Sequence, residues 1–209
     1  MKQSFKFWDR IANIYAKQTI SDEAAYQKKL QVTQEYLKPD MEVLEFGCGT
    51  GSTAIIHAPY VQHIQAIDIS QKMLAIAQKK ADAEHIKNIT FEHAAIDDLD
   101  VPVQSYDVVL GLSILHLLED KEEVIARVYN MLKAGGVFVT STVCLTDTMK
   151  FIKPMKIIAP IARFFGLMPM LNFFTRSELE KSLTDAGFQL EHQYQPTKES
   201  AVFIVAKKI

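Results

Sequence analysis

The sequence has few of the features that mark disulfide-rich, metal-binding or nucleic-acid-binding proteins. Its 209 residues include only two cysteines, Cys48 and Cys144, which lie far apart and belong to no CxxC or Cys/His spacing. We therefore expect no disulfide framework and no metal site, and a reducing compartment, the cytoplasm, fits this content best. The formal net charge of −2 provides no basic field that would attract nucleic acid.

An uninterrupted apolar run of membrane-spanning length is also missing. The most apolar stretch, 157–174, is broken by two prolines, an arginine, a glycine and an asparagine. The first ten residues are polar and aromatic, unlike the continuous apolar core of a secretory signal. We expect a soluble protein without stable insertion into a membrane.

What the sequence does contain is an ordinary globular composition. Hydrophobic residues make up 48% and charged residues 23% of the chain, which is enough to build one large core. A length of 209 residues leaves too little chain for a second full domain. We therefore expect a single domain over 1–209.

Apolar runs alternate with helix-like segments through the middle of the chain. Continuous runs rich in β-branched and aromatic residues predict strands buried on both faces, at 41–46, 63–68, 89–92, 106–110 and 137–142. Helical spacing with capping residues predicts helices at 22–37, 70–80, 119–133 and 175–186. Strands separated by such helices predict βαβ units and a parallel, doubly wound sheet.

The C-terminal part departs from this alternation. Two further strand-like runs, 188–194 and 201–206, are separated only by a short polar loop, so they predict an antiparallel pair. The fold class that follows is α/β, with a doubly wound, mostly parallel seven-stranded sheet that ends in an antiparallel C-terminal pair.

A glycine-rich loop after the first predicted strand carries the strongest functional signal. Gly47, Gly49 and Gly51 alternate as G-x-G-x-G, and Glu45 lies two residues before them. A carboxylate there would repel a pyrophosphate but could hold a ligand with an ammonium group. The next predicted strand ends in Asp68, where an acid can bind the ribose of an adenosine cofactor. The alternatives are a tight turn without a ligand, and an Asp68 that only caps the next helix.

These residues, and the segments that follow them, resemble the class I S-adenosylmethionine-dependent methyltransferases of the small-molecule branch, over about 25–209. The resemblance implies S-adenosyl-L-methionine as methyl donor, with S-adenosyl-L-homocysteine as product. It places Gly47, Cys48 and Gly49 under the methionine part and Asp68 on the ribose. The remaining cofactor contacts that it implies come from Ile69 and Met73 beside the adenine, Ala95, Ile96 and Asp97 at the adenine edge, and Ser113 beside the transferable methyl.

The sequence departs from the family pattern at the adenine edge. Many members have an aspartate that accepts from the adenine amine where this chain has Ala95. Either Asp97 takes that role, or the amine meets backbone or water.

Two residues are candidates for catalysis. His116 follows the fourth predicted strand, and its imidazole could act as a general base or merely bond locally. Tyr15 lies in an aromatic segment that resembles the N-terminal lid of the family, and it could reach the cofactor carboxylate or the substrate, or only pack. Cys48 has no basic neighbour in sequence to activate its thiol, so we expect no catalytic cysteine.

The expected function is therefore methyl transfer to a small, partly apolar metabolite, by a monomer or homodimer without a nucleic-acid partner. The segment 1–38 is expected to form a lid and a helix. The apolar, Met-rich insert 144–174 could be a lid over the acceptor, a surface in transient contact with a membrane, or plain core or dimer contact. Two other functions remain open: a non-catalytic module that binds the same cofactor, and a nicotinamide-dependent oxidoreductase, against which the glycine spacing and Glu45 speak.

Overall fold

The computed structural model describes residues 5–148, 159, 162 and 167–209. In these residues seven strands form one sheet. The strands are β1 (Glu42–Phe46), β2 (His63–Asp68), β3 (Ile89–His93), β4 (Tyr106–Leu112), β5 (Leu132–Thr142), β6 (Phe188–Tyr194) and β7 (Val202–Lys208).

The helices of the described residues flank this sheet. They are α1 (Phe5–Tyr15), α2 (Glu23–Gln34), α3 (Ser52–His57), α4 (Gln71–Ala83), α5 (Lys121–Met131), the single turn α6 (Leu145–Thr148) and α7 (Arg176–Asp185). Short 3-10 helices occupy Ala58–Tyr60 and Leu115–Leu117. None of the helices in the described part of the chain is both long and apolar enough to cross a membrane.

The strand order is β3-β2-β1-β4-β5-β7-β6. The first five strands pair in parallel, whereas β7 is antiparallel to both β5 and β6. This confirms the predicted doubly wound sheet with an antiparallel C-terminal pair. In a parallel sheet the carboxyl ends of the strands lie at one edge, and ligands bind there where the strand order reverses, here between β1 and β4.

Both faces of the central strands are buried. On β1, Val43 and Leu44 point to opposite faces, and each is fully buried in a different apolar cluster. One cluster includes residues of α5 and α7, and the other includes residues of α2 and α3. Burial on both faces explains why the strands read as continuous apolar runs rather than alternating ones.

Side-chain caps define where several helices begin. Ser70 accepts a hydrogen bond from the Met73 amide at the start of α4, and Thr175 and Glu178 form a reciprocal capping box at the start of α7. Both caps agree with the sequence pattern. At α5 the prediction was wrong at its C-terminal end: the helix ends at Met131, and β5 already begins at Leu132. The glycines at 135 and 136, interpreted as a helix stop, lie in the irregular first part of β5, where the register with β4 shifts.

Much of the predicted insert 144–174 lies outside the described residues, namely 149–158, 160, 161 and 163–166. Its described ends meet, because the Thr146 amide donates to the Phe174 carbonyl at 3.2 Å. The Asn172 amide also donates to the His116 carbonyl at 2.8 Å. The insert therefore leaves and rejoins the domain beside the segment that follows β4.

Candidate functional site

The glycine loop between β1 and α3 adopts a conformation that favours glycine. Gly47, Gly49 and Gly51 have φ values of +66°, +55° and +72°, in the left-handed region. A Cβ on Gly47 or Gly51 would clash, with Ile114 at 2.8 Å and with Ala77 at 2.7 Å respectively. A Cβ on Gly49 would meet only the Tyr15 ring, at 3.8 Å. A Cβ at Gly49 would therefore meet one ring at van der Waals distance without a clash, so a ligand can approach the backbone closely at this position.

Asp68, at the end of β2, ties this loop to the next helix. Its carboxylate accepts from the Gly49 amide and from the Ser70 amide, both at 2.8 Å. The N-cap of α4 is Ser70 rather than Asp68, so Asp68 is not merely the cap of the next helix. Burial raises the pKa of Asp68, while the amide donors of Ser70, Gly49 and Ile69 oppose that shift.

A cleft of about 630 Å³, including its open mouth, lies beside the loop on the β2 side, and we call it the cofactor cavity. It contains nine of the residues predicted for the site: Tyr15, Gly47, Gly49, Asp68, Ile69, Met73, Ala95, Ile96 and Ser113. Its other walls are mostly apolar and were not predicted from sequence: Trp8, Phe46, Ala94, Leu112, Ile114, Leu117 and Leu118. A mostly apolar cleft with one carboxylate suits a flat base attached to a ribose.

A second cavity of about 1440 Å³, including its open mouth, lies on the other side of the loop, and we call it the polar cavity. Tyr15, Gly47, Gly49, Leu112 and Ser113 line both cavities. Glu45 and Cys48 line only the polar cavity. The helices α2 and α3 and the strand β5 contribute further polar groups, among them Tyr26, Lys29, Thr33, Thr53, His57 and Ser141.

Glu45 is the most perturbed carboxyl group of the site. Its side chain is 3% exposed, and its Oε2 atom has no hydrogen-bond partner among the described residues. Burial, with a smaller contribution from the charge of Asp68, raises the pKa of Glu45 to about 8. A buried acceptor without a partner is costly, so a ligand that brings a donor, above all an ammonium group, would satisfy it.

The helix α1 carries Tyr15 over the loop and is anchored by one carboxylate. Asp9 accepts from the Ser70 hydroxyl at 2.6 Å and from the Lys72 amide at 3.2 Å, at the N-terminus of α4. The Tyr15 ring packs edge-on against Trp8, with centroids 6.3 Å apart. Burial and the charges of Asp68 and Glu45 raise the pKa of Tyr15, so its phenol stays protonated at neutral pH.

Two predicted residues, His116 and Asp97, lie outside both cavities. His116 lines neither cavity; its Nδ1 is 3.0 Å from the Thr142 hydroxyl, and burial lowers its pKa to about 4. Asp97 lines a separate outer depression together with Asp98. Burial, followed by the charges of Glu45 and Asp68, raises the pKa of the Cys48 thiol, which keeps it protonated and a poor nucleophile. In the described residues no cluster of three or more His, Cys, Asp or Glu could hold a metal ion.

Comparisons with known proteins agree with this geometry. A family model described as "Methyltransferase domain" matches residues 12–188. The uncharacterized methyltransferase YcgJ of Bacillus subtilis is 27% identical over 109 residues, which are 52% of this chain and 43% of that protein. The chain spans about half the length of the curated relatives that it matches.

Solved structures show the same fold. An S-adenosylmethionine dependent methyltransferase from Mesorhizobium loti superposes with a TM-score of 0.71 at 21% identity, over 90% of this chain and 99% of that chain. A SAM-dependent methyltransferase from Methanosarcina mazei superposes with a TM-score of 0.69 at 20% identity, over 85% and 97%. At these identities the likeness concerns the fold alone.

Proposed function

Because the chain belongs to the methyltransferase domain family, we propose that it transfers a methyl group to a small, partly apolar metabolite. The methyl donor of this family is S-adenosyl-L-methionine, and the product is S-adenosyl-L-homocysteine. The observation that carries the proposal is Glu45, a buried carboxyl group whose Oε2 has no partner among the described residues, beside a loop in which a Cβ on Gly49 would meet only the Tyr15 ring.

The residues of the site fit this cofactor. Glu45 would accept from the ammonium end of the methionine part, and Gly47, Cys48 and Gly49 would pass beneath it. Asp68 would accept from the ribose hydroxyls with the carboxylate that also holds the Gly49 amide. Ile69 and Met73 would flank the adenine, with Ala95 and Ile96 at its edge. Asp97 faces the outer depression, which favours backbone or water as the partner of the adenine amine.

The chemistry asks for positioning more than for an acid or a base. When bound, S-adenosylmethionine supplies a methyl group on a positively charged sulfur. Ser113 lines both cavities at the end of β4, so it would lie where the acceptor and the methyl group meet. Tyr15 would cover that point and exclude water. Alignment and exclusion of water supply much of the barrier reduction in such a displacement.

The two candidate catalytic residues differ in their access to this point. Tyr15 stands between both cavities, whereas His116 is held against Thr142 outside them. A base at His116 would need an acceptor that reaches the imidazole from a side other than the two cavities. We therefore favour Tyr15 as the residue that contacts the acceptor, with His116 as a base only for an acceptor on that side.

The proposed organisation follows from these positions. Within one domain, 1–38 would supply a lid (α1) and a wall of the polar cavity (α2); most of the insert 144–174, for which a lid, a membrane-facing surface and a core or dimer contact are the alternatives, lies outside the described residues. The cytoplasm is the proposed location, because both cysteines are free and buried and a reducing compartment keeps them so.

Calorimetry tests the proposal directly. We expect the protein to bind S-adenosylhomocysteine and not NADH, and a screen with isotopically labelled methyl donor to label a small acceptor from a metabolite extract. Binding of NADH in preference to the thioether would refute the methyltransferase function. Binding of S-adenosylhomocysteine without labelling of any acceptor would favour the non-catalytic module.

A further inference from the structure

The inner face of α2 presents a cation to the polar cavity. Lys29 and Leu30 each lie three or four residues from both Tyr26 and Thr33, which places the four on one face of the helix, and all four line this cavity. The Lys29 ammonium donates to the Ser141 hydroxyl at 3.0 Å. This contact joins α2 to the end of β5, across 112 residues of sequence.

Lys29 is not balanced by an anion in the described part of the chain. Its ammonium has three donors, and Ser141 is its one hydrogen-bond acceptor among the described residues. The carboxylate that acts on it, Asp22, caps α2 and forms no ion pair with it. Burial lowers the pKa of Lys29, since removing a charge from water without a partner is unfavourable. An anion that entered the cavity would provide the missing partner and reduce the cost of burying the Lys29 charge.

The position of Lys29 places that anion on the side of the site where the methyl acceptor is expected. Ser141 lies on β5, two strands from β1, which corresponds to about 10 Å at the usual strand spacing. Between them lies Ser113, whose amide donates to the Ser141 carbonyl at 2.6 Å. Asp68 is on β2, at the opposite side of the loop. Lys29 is therefore on the far side of the methyl-transfer point from the expected ribose.

The charges that line the polar cavity favour an anion with a single negative charge, because the one carboxyl group among its described lining residues, Glu45, is expected to pair with the ammonium group of the cofactor. Lys29 is the only Lys or Arg among the described residues that line it. His57 is 1% exposed, both its ring nitrogens lack a partner in the described residues, and burial lowers its pKa to about 4, so it is neutral. One cation matches a carboxylate better than a phosphate dianion. Leu30, Leu112 and Phe203 supply apolar walls beside it.

We propose that the part of the polar cavity beside β5 is the acceptor subsite, and that Lys29 and Ser141 bind a carboxylate of the acceptor there, while Glu45 and Cys48 on the β1 side of the same cavity hold the methionine part of the cofactor. The inference rests on the proposed methyltransferase function and narrows its substrate class to small carboxylic acids with an apolar body. The apolar walls take the body of the acid, and the ammonium orients it so that the rest of the molecule reaches Ser113.

Paired probes test this subsite without knowledge of the natural acceptor. Calorimetry or ligand-observed NMR, with saturating S-adenosylhomocysteine, measures binding of a set of aromatic and aliphatic carboxylic acids and of the amides with the same skeletons. We expect acids that bind to do so about tenfold or more tightly than their amides, as charge-assisted hydrogen bonds predict. If no acid is preferred over its amide while S-adenosylhomocysteine binds, this inference fails alone. If S-adenosylhomocysteine does not bind at all, the proposed function fails with it.

A matched pair of lysines on α2 provides the control. Lys29→Met keeps the length and removes the charge, and Lys28→Met does the same at the neighbouring exposed position. We expect Lys29→Met to abolish the preference for acids, and Lys28→Met to leave it unchanged. Lys29→Gln serves in the same way should the Met variant fold poorly. A preference that survives in Lys29→Met and Lys29→Gln refutes the subsite. If Lys29→Met weakens S-adenosylhomocysteine about as much as it weakens the acids, the anion is the carboxylate of the cofactor and the acceptor assignment is wrong.

Discussion

On the β2 side of the glycine loop the polar groups already have partners, whereas on the β5 side several have none. In the cofactor cavity, Asp68 accepts from two amides, and Ser70 beside it caps α4 and binds Asp9. In the polar cavity, Glu45 Oε2 and both nitrogens of His57 lack partners within the described residues.

This difference distinguishes two roles of a buried polar residue, one in stability and one in ligand binding. A satisfied group contributes to stability whether or not a ligand is present, and its loss should weaken the fold as well as binding. An unsatisfied group reduces the stability of the ligand-free protein and gains its partner from the ligand. The variants below should therefore divide into those that alter stability and those that alter binding.

The largest difference in stability is expected between two variants of the glycine loop, Gly51→Ala and Gly49→Ala. Both positions have positive φ, but only the Cβ at 51 would clash, with Ala77 at 2.7 Å. Backbone strain and overpacking together should reduce the free energy of unfolding of Gly51→Ala by about 3 kcal/mol. Gly49→Ala should lose only about 1 kcal/mol from strain, while its methyl group projects into the site. Chemical denaturation and calorimetry with S-adenosylhomocysteine measure both; equal destabilisation of the two variants would contradict this.

The next effect concerns Glu45→Gln and pH. Because burial raises the pKa of folded Glu45 from its ordinary value of 4.5 to about 8, the fold favours its neutral form. The stability of the ligand-free protein should fall as pH rises from about 4.5 through about 8, by an amount on the order of a few kcal/mol. Glu45→Gln should lose this dependence and be more stable than the wild type at pH 9.

The same variant separates stability from binding. An arriving ammonium group favours the ionised carboxylate, so binding of S-adenosylhomocysteine near pH 7 should release protons from the wild type and fewer from Glu45→Gln. Calorimetry in buffers with different ionisation enthalpies measures that release. A pH-independent stability in the wild type, or an unchanged proton release in the variant, would show that Glu45 is already ionised in the ligand-free protein.

Asp68→Asn tests a residue of the cofactor cavity whose hydrogen bonds are already formed. We expect a moderate effect on both affinity and stability. The amide keeps one oxygen, so it can accept from Gly49 or from Ser70 but not from both, and it has no charge to offer the ribose hydroxyls. We expect S-adenosylhomocysteine affinity to fall roughly tenfold or more, with about 1 kcal/mol lost from stability. An affinity within twofold of the wild type would mean that the ribose is held elsewhere.

The smallest expected effect is that of Ser70→Ala. The substitution removes the cap of α4 and the donor to Asp9, and loss of a cap destabilises by about 1 kcal/mol. Thermal unfolding should shift down by a few degrees, whereas the cofactor affinity should change little, since Ser70 does not line either cavity. A large loss of affinity at unchanged stability would reveal that anchoring of α1 controls binding.

Local patterns predicted most of the sheet. The bounds of β2 and β6 agree with the predicted runs, and the Thr175–Glu178 capping box is present. Such features depend on side chains within a few residues of each other. The end of α5 was misplaced, because Gly135 and Gly136 read equally well as a helix stop or as an irregular strand.

The site was predicted only in part, for a related reason. Spacing indicated the glycines, Glu45 and Asp68, since each stands at the end of a strand. Lys29 and His57 carried no comparable signal: one reads as an exposed helical lysine and the other as an isolated histidine. Their place in the cavity became visible only when α2, α3 and β5 were assembled.

By itself the sequence determined the periodicity of the elements, several helix starts and the glycine positions with positive φ, because these depend on local sterics and hydrogen bonding. The tertiary structure decided what lies next to what. It placed β7 between β5 and β6, directed His116 to Thr142 rather than to either cavity, and set the Lys29 ammonium against Ser141. These contacts join residues remote in sequence, and packing of the whole sheet and its helices was needed to bring them together.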